Sequence, residues 1–152
     1  MPHDYEKILE LLPRITPQWL AGFFDGEGHV SIMKDSKSGN LSIQLGITQN
    51  DEYLLALIML KYRAGNIYSH YNGNKNGRMI DCFVYRINGK EIKQLLEDIL
   101  PYSVVKRERI EVALRFLVSP SEELREKMLE LNCQGKSPAR IAAWKIKSGR
   151  EN

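Results

Sequence analysis

Thr16-Pro17-Gln18-Trp19-Leu20-Ala21-Gly22-Phe23-Phe24-Asp25-Gly26-Glu27-Gly28 is the stretch that decides the fold. Thr16 is a helix-capping residue, and Pro17 takes the first helical position, where its missing N–H costs nothing. The segment predicts a helix ending near Gly26 or Gly28. Ala21, Gly22, Asp25 and Gly26 fall on adjoining positions of one face, with Gly22 and Gly26 one i, i+4 step apart, so that a second backbone can approach closely. Each glycine costs about 1 kcal/mol of helix propensity relative to alanine, which a contact with the same helix of a second copy would offset. Glu27 would then meet its counterpart at the negative ends of both helices. Like charges there call for a cation, and one carboxylate per chain, a backbone carbonyl and water suit Mg²⁺. The plain alternative is that Gly26-Glu27-Gly28 is only a helix end and turn.

Downstream, Val30, Ile32, Leu41, Ile43, Leu45 and Ile47 alternate with polar or small residues, which predicts a two-stranded antiparallel ribbon turning through Asp35 to Asn40. Asn50-Asp51 can cap a second helix through Leu54, Leu55, Ile58, Met59 and Tyr62, stopped by Ala64-Gly65. A second ribbon, Ile67 to Tyr71 and Met79 to Ile87, turns through Asn72 to Gly77. A third helix runs from about Gly89 or Lys90 to Ile99, ahead of Pro101. Two further helices are expected at about Lys106 to Val118 and Ser121 to Asn132. The order predicts an α+β domain whose four strands make one antiparallel sheet with helices on one face. The opposite face would carry Ser31, Met33, Asp35, Asn40, Ser42 and Gln44, then Tyr68, His70, Asn72, Arg78 and Arg86. Such donors and acceptors suit base edges in a major groove, which admits a two-stranded ribbon, and they equally suit a solvated sheet face.

A chain of 152 residues with 43% hydrophobic and 27% charged content fits one globular domain, and excludes collagen-like, disulfide-scaffold and disordered classes. Basic and acidic groups number 22 and 19, but the balance is uneven. Residues 134–152 carry +4, through Lys136, Arg140, Lys145, Lys147 and Arg150 against Glu151, and the first 133 residues carry −1. The domain is expected over 1–132, with a basic tail over 133–152 that suits phosphate contacts or simple solvation. Cys82 and Cys133 stand too far apart for a CxxC metal knot and are expected to be reduced thiols. No apolar run is long enough to span a bilayer and no secretory signal is evident, so an intracellular, unanchored protein is expected.

Trp19 to Gly28 resembles the signature of the LAGLIDADG homing endonucleases, with Leu20-Ala21-Gly22 matching its first three letters. Ile47-Thr48-Gln49-Asn50-Asp51, Gly65-Asn66-Ile67-Tyr68, Tyr85-Arg86-Ile87-Asn88-Gly89 and Pro101-Tyr102 look like the family's later landmarks, in order, so that residues 16 to about 118 are covered. The resemblance implies an αββαββα core with a saddle-shaped sheet. It also implies a homodimer formed through the motif helices, since only one motif is present. Glu27 occupies the place of the metal-binding acid, usually an aspartate, with Gly26 as backbone co-ligand. Gln49 matches a glutamine that helps hold the nucleophilic water, and Lys106 a lysine beside the scissile phosphate. A further basic residue expected soon after the glutamine is replaced by Asp51-Glu52; Arg86 and Arg107 are the candidate substitutes. His29 and His70 are expected as contacts.

The activity so implied is Mg²⁺-dependent hydrolysis of both strands of a long, pseudo-palindromic DNA target, leaving short 3′ overhangs, with Mn²⁺ as a possible replacement and no small-molecule cofactor. Such proteins belong to the cytoplasm of a prokaryote or to an organelle. Two other classes stay open: a non-cleaving nucleic-acid binder of the same fold, such as an intron maturase or regulator, and a generic interaction module.

Overall fold

A computed structural model of the chain describes residues 2–71, 80–133 and 138–149, with side chains over 5–71, 82–133 and 142–149. The decisive helix, here α2 once α1 (Pro2–Leu11) is counted, spans Pro17–Glu27. Thr16 Oγ1 accepts the Trp19 N–H at 3.2 Å, as its capping role requires. Gly28 ends the helix and starts β1 (Gly28–Lys34) without a linker. That abrupt change of direction needs a glycine, because a Cβ at position 28 would lie 2.0 Å from Cδ2 of the buried Phe24 ring.

The remaining order is β2 (Leu41–Gln49), α3 (Glu52–Tyr62), β3 (Asn66–Tyr71), β4 (Ile80–Asn88), a 3₁₀ turn over Gly89–Ile92, α4 (Lys93–Ile99), α5 (Arg107–Val118), α6 (Glu122–Cys133) and α7 (Pro138–Lys147). The strands form one antiparallel sheet ordered β1-β2-β4-β3. The fold class is therefore the expected α+β domain around an αββαββα core.

Asp51 caps α3 through the Leu54 N–H at 3.3 Å. The helix ends on Arg63, in the left-handed region at φ 50°, one residue before the expected stop. Ser121 caps α6, its Oγ accepting the Leu124 N–H. Two helices were not expected. α1 has few apolar residues; Ile8 and Leu11 settle against the core, and Lys7 lies over the Tyr53 ring at 4.7 Å. α7 replaces the expected irregular tail, and its Lys145, Ile146 and Lys147 are exposed.

One side of the sheet supports the core. Leu20, Ala21 and Phe24 of α2 are buried with Val30, Ile32, Ile43, Leu45, Ile47, Tyr85 and Ile87 of the strands, and with Leu55, Leu95, Ile110 and Phe116 of later helices. Tyr85 keeps its hydroxyl satisfied in that interior by donating to the Ala64 carbonyl at 2.8 Å, and burial pushes its pKa far up. Both cysteines are half-buried free thiols. Among the described residues no helix is long and apolar enough to cross a membrane.

Candidate functional site

The end of α2 places an acid, a base and a hydrogen-bonded clasp within a few residues. Glu27, the last helical residue, is exposed. An α-helix leaves its last carbonyls without intrahelical partners and carries partial negative charge there. Lys106, the N-cap residue of α5, adds a cation there: its Nζ donates to the Phe24 carbonyl at 3.0 Å, which also accepts the Gly28 N–H, and to the Gly28 carbonyl. Burial lowers the Lys106 pKa, as does nearby Arg109, against the upward pull of Asp25 and Glu27. Glu27 and Lys106 are thus brought into electrostatic range across 79 residues of chain.

Asp25 serves the chain's own fold. Its Oδ1 accepts from Ser103 Oγ at 2.5 Å and the Lys106 N–H at 3.1 Å, and its Oδ2 from the Val104 and Val105 N–H groups at 2.8 and 3.1 Å. Burial raises its pKa, but these four donors outweigh it and hold the carboxyl below the usual range. Ser103, 4% exposed, is the buried polar residue of the described core. Two residues expected at a dimer interface make their contacts within the chain. Ala21 is fully buried among the protomer's own apolar side chains, and the Asp25 carboxylate is spent on the 103–106 segment. Gly22 and Gly26 are exposed, with nothing within 4 Å of a Cβ placed on either.

Gln49 ends β2. Its Oε1 accepts the neighbouring Asn50 N–H at 2.7 Å. Because Gly28 pairs with Ile47, Gln49 stands at the same end of the β1–β2 ribbon as Glu27, beside Phe83 of β4. No group of three or more His, Cys, Asp or Glu that could hold a metal exists among the described residues. The site of one protomer offers one free carboxylate and helix-terminal carbonyls. That oxygen-only set fits a Mg²⁺ ion, which needs one or two carboxylates and keeps several waters, better than a closed protein cage.

The sheet face away from the helices is polar and open. Register sets His29, Gly46, Arg86 and Asn66 in one row, Ser31, Gln44 and Asn88 in the next, and Met33 opposite Ser42. His70 and Tyr68 extend the face on β3, and the Arg86 guanidinium lies over the Tyr68 ring at 5.4 Å. Gln44 Nε2 donates to Asn88 Oδ1 at 2.8 Å. His29 lies across Gly46: a Cβ there would fall 2.3 Å from its Cε1. Burial first, then Lys106 and Arg86, lowers the His29 pKa, so both cations act on this imidazole. Asn66 and Asn88 were missed. The alternation that picked Arg86 would have found Asn88, but Asn88-Gly89 also reads as the turn that ends the strand.

Other expected contacts fall elsewhere. Asp35 is engaged in its own turn, where its Oδ1 accepts from the Lys37 and Ser38 N–H groups and from Ser38 Oγ. Asn40 is exposed and its carbonyl closes the same hairpin by accepting the Asp35 N–H at 2.9 Å. Arg107 pairs with Glu111 one turn along α5. Asn72, Arg78 and Lys136 lie outside the described residues, and Arg140 outside the described side chains.

Fold and site together define an αββαββα domain with an open polar sheet face and an acid at the end of its first core helix. A family model described as LAGLIDADG endonuclease matches residues 20–116. The chain belongs to the LAGLIDADG endonuclease family, and its size fits the single-motif type. Solved structures agree on the fold. The homing endonuclease I-CvuI in complex with the I-CreI target and Mg, its DNA not cleaved, superposes with TM-score 0.61 at 19% identity over 99% of both chains. The archaeal intron-encoded I-Vdi141I complexed with DNA gives 0.59 at 19% identity, over 80% of this chain and 87% of that one. The meganuclease I-AabMI bound to uncleaved DNA gives 0.56 at 25% identity, over 84% of this chain and 48% of that one. No curated protein matches.

Proposed function

We propose that two copies of this chain form a site-specific DNA endonuclease that hydrolyses one phosphodiester on each strand of a long, nearly two-fold symmetric target. The observation that carries this reading is an exposed Glu27 carboxylate in electrostatic range of the clamped Lys106 ammonium at the edge of an open polar sheet. The named relatives were solved on DNA, which supports the sheet as the surface that meets the duplex. Ser31, Ser42, Gln44 and Arg86 are of the types that read base edges, while Lys145 and Lys147 add phosphate contacts and a steep salt dependence.

Homodimerisation is supported by what α2 leaves uncovered. Gly22 and Gly26 present bare backbone, Trp19 stacks on Phe23 with centroids 5.0 Å apart while 40% exposed, and Val104 and Val105 are 84% and 67% exposed beside them. Apolar surface of this kind on the same side as two glycines suits a second copy of the helix. The dimer would bring two Glu27 residues together, and these with the Gly26 carbonyls would hold Mg²⁺, or Mn²⁺ in its place. The bound ion would polarise the phosphate and lower the pKa of water. Lys106 would hold its positive charge where negative charge develops, and Gln49 would orient water by hydrogen bonding. Cuts close to the two-fold axis would leave short 3′ overhangs.

Cleavage of a randomised DNA library with Mg²⁺ tests the reading. Glu27→Gln is expected to bind the selected sites and to cut them on the order of 10²- to 10³-fold more slowly, the usual scale for losing one electrostatic group of a site. Equal cutting by the variant would remove Glu27 from the chemistry. Binding by the wild type without any cutting would favour a non-cleaving binder of the same fold.

A further inference from the structure

The end of α2 and the segment that leads into α5 meet behind Glu27, and each is held by a side chain of the other. Lys106 Nζ donates to the Phe24 carbonyl, which also accepts the Gly28 N–H at the end of α2, and to the carbonyl of Gly28, the residue that follows the helix. α5 begins with no side-chain cap from its own N-cap residue, which is Lys106 itself. Asp25 instead holds the segment that leads into the helix: its two oxygens take the N–H groups of Val104, Val105 and Lys106 together with the Ser103 hydroxyl. The carboxylate therefore holds the backbone from which the Lys106 side chain starts, while that side chain holds the helix end from which Glu27 projects.

We propose that Asp25 is a positioning residue that acts through Lys106, fixing its ammonium relative to Glu27, rather than a residue of the dimer contact. Only a carboxylate satisfies four donors converging from one segment. An amide offers one acceptor oxygen, and its N–H₂ would oppose one side of the N–H array. Ser103 completes the clasp from inside the core, so its hydroxyl has a role that packing alone does not require. The catalytic part of this inference rests on the endonuclease reading; the geometric part does not.

The test uses the full chain with Asp25→Asn, Lys106→Ala, the double variant and Ser103→Ala. Under single-turnover conditions with Mg²⁺, Asp25→Asn is expected to cut on the order of 10- to 100-fold more slowly, the cost of misplacing a reacting-site group by about an ångström, while DNA affinity is retained. The double variant should cut no more slowly than Lys106→Ala alone, because both substitutions remove one function. Ser103→Ala should shift in the same direction by less, and it serves if Asp25→Asn does not fold. Independently of activity, the Lys106 Nζ resonance should move in Asp25→Asn, and the amides of Val104 to Lys106 should lose exchange protection. Additive losses in the double variant, or an unchanged Lys106 resonance, would overturn the proposal. A wild type that cuts no DNA would overturn the endonuclease reading instead, and the resonance and exchange measurements would still decide the role of Asp25.

Discussion

Gly28 and Gly46 both stand where a Cβ would collide with a ring, yet the two rings differ in freedom. At Gly28 the obstacle is Phe24, fully buried against the core, so Gly28→Ala must displace packed atoms and is expected to cost about 1–3 kcal/mol in urea or thermal unfolding. At Gly46 the obstacle is the His29 imidazole, whose outer edge is open to solvent and which can turn away. Gly46 is itself covered by that ring, but the ring can swing out, so Gly46→Ala should cost less stability than Gly28→Ala. Its effect belongs to recognition: with His29 displaced from its place beside Arg86, the base preference nearest the cut should relax, as profiling cleavage of single-base target variants would show. Similar destabilisation by both substitutions would contradict the open-face assignment of His29.

At the scale of elements, α6 is tied to β1 by a polar contact as well as by Leu124, Met128 and Leu131. Lys34 Nζ meets Glu122 Oε2 at 3.2 Å, and Arg125 Nη1 meets Glu122 Oε1 at 2.7 Å. The hydrogen bonds from Lys34 and Arg125 hold the Glu122 carboxyl below its usual 4.5. A depressed carboxyl pKa contributes stability that is present above the unfolded value and lost as pH falls through the folded one. The melting-temperature difference between wild type and Glu122→Gln should therefore be small but measurable near pH 6. It should close as pH drops below about 4.5 and shrink with added salt, since the pair is exposed. A difference that grows toward acid pH would exclude the pairing as its source. These contacts show which parts of the elements were legible. Thr16-Pro17, the alternation from Val30 to Ile47 and Asp51 each act within a few residues, and their helices and strands form where expected. α1 and α7 were not predicted; α7 carries Ala139, Ile141, Ala142, Ala143, Trp144 and Ile146, but its basic residues read as a tail. Nor was the clasp of Asp25, since its partners lie 78 or more residues away and are mostly backbone N–H groups with no side-chain signal.

For the whole molecule, the bare backbone of Gly22 and Gly26 makes opposite predictions for one chain and for two. Within the protomer a Cβ at either position meets nothing, so Gly22→Ala and Gly26→Ala should stabilise an isolated helix by about 1 kcal/mol each. Against a second helix at close range the same methyl groups intrude. Sedimentation across a dilution series is expected to show the mass of two chains for wild type, and weaker association for both alanine variants. A wild-type monomer, or alanine variants that associate as before, would leave α2 without its partner and remove the two-fold arrangement on which the shared metal site depends.

The sequence by itself determined the order of the core elements from α2 to α6, the polar parity of the sheet face and the family, because capping, alternation and a ten-residue motif are local patterns carried by side-chain type. Tertiary structure decided how those parts are used. It buried Ala21, closed Asp25 on the segment that leads into α5, engaged Asp35 in its own hairpin, and set Lys106 on the carbonyls beside Glu27. Each of these outcomes depends on which backbone donors and acceptors come together when the chain closes, and that choice is made by packing between elements far apart in sequence.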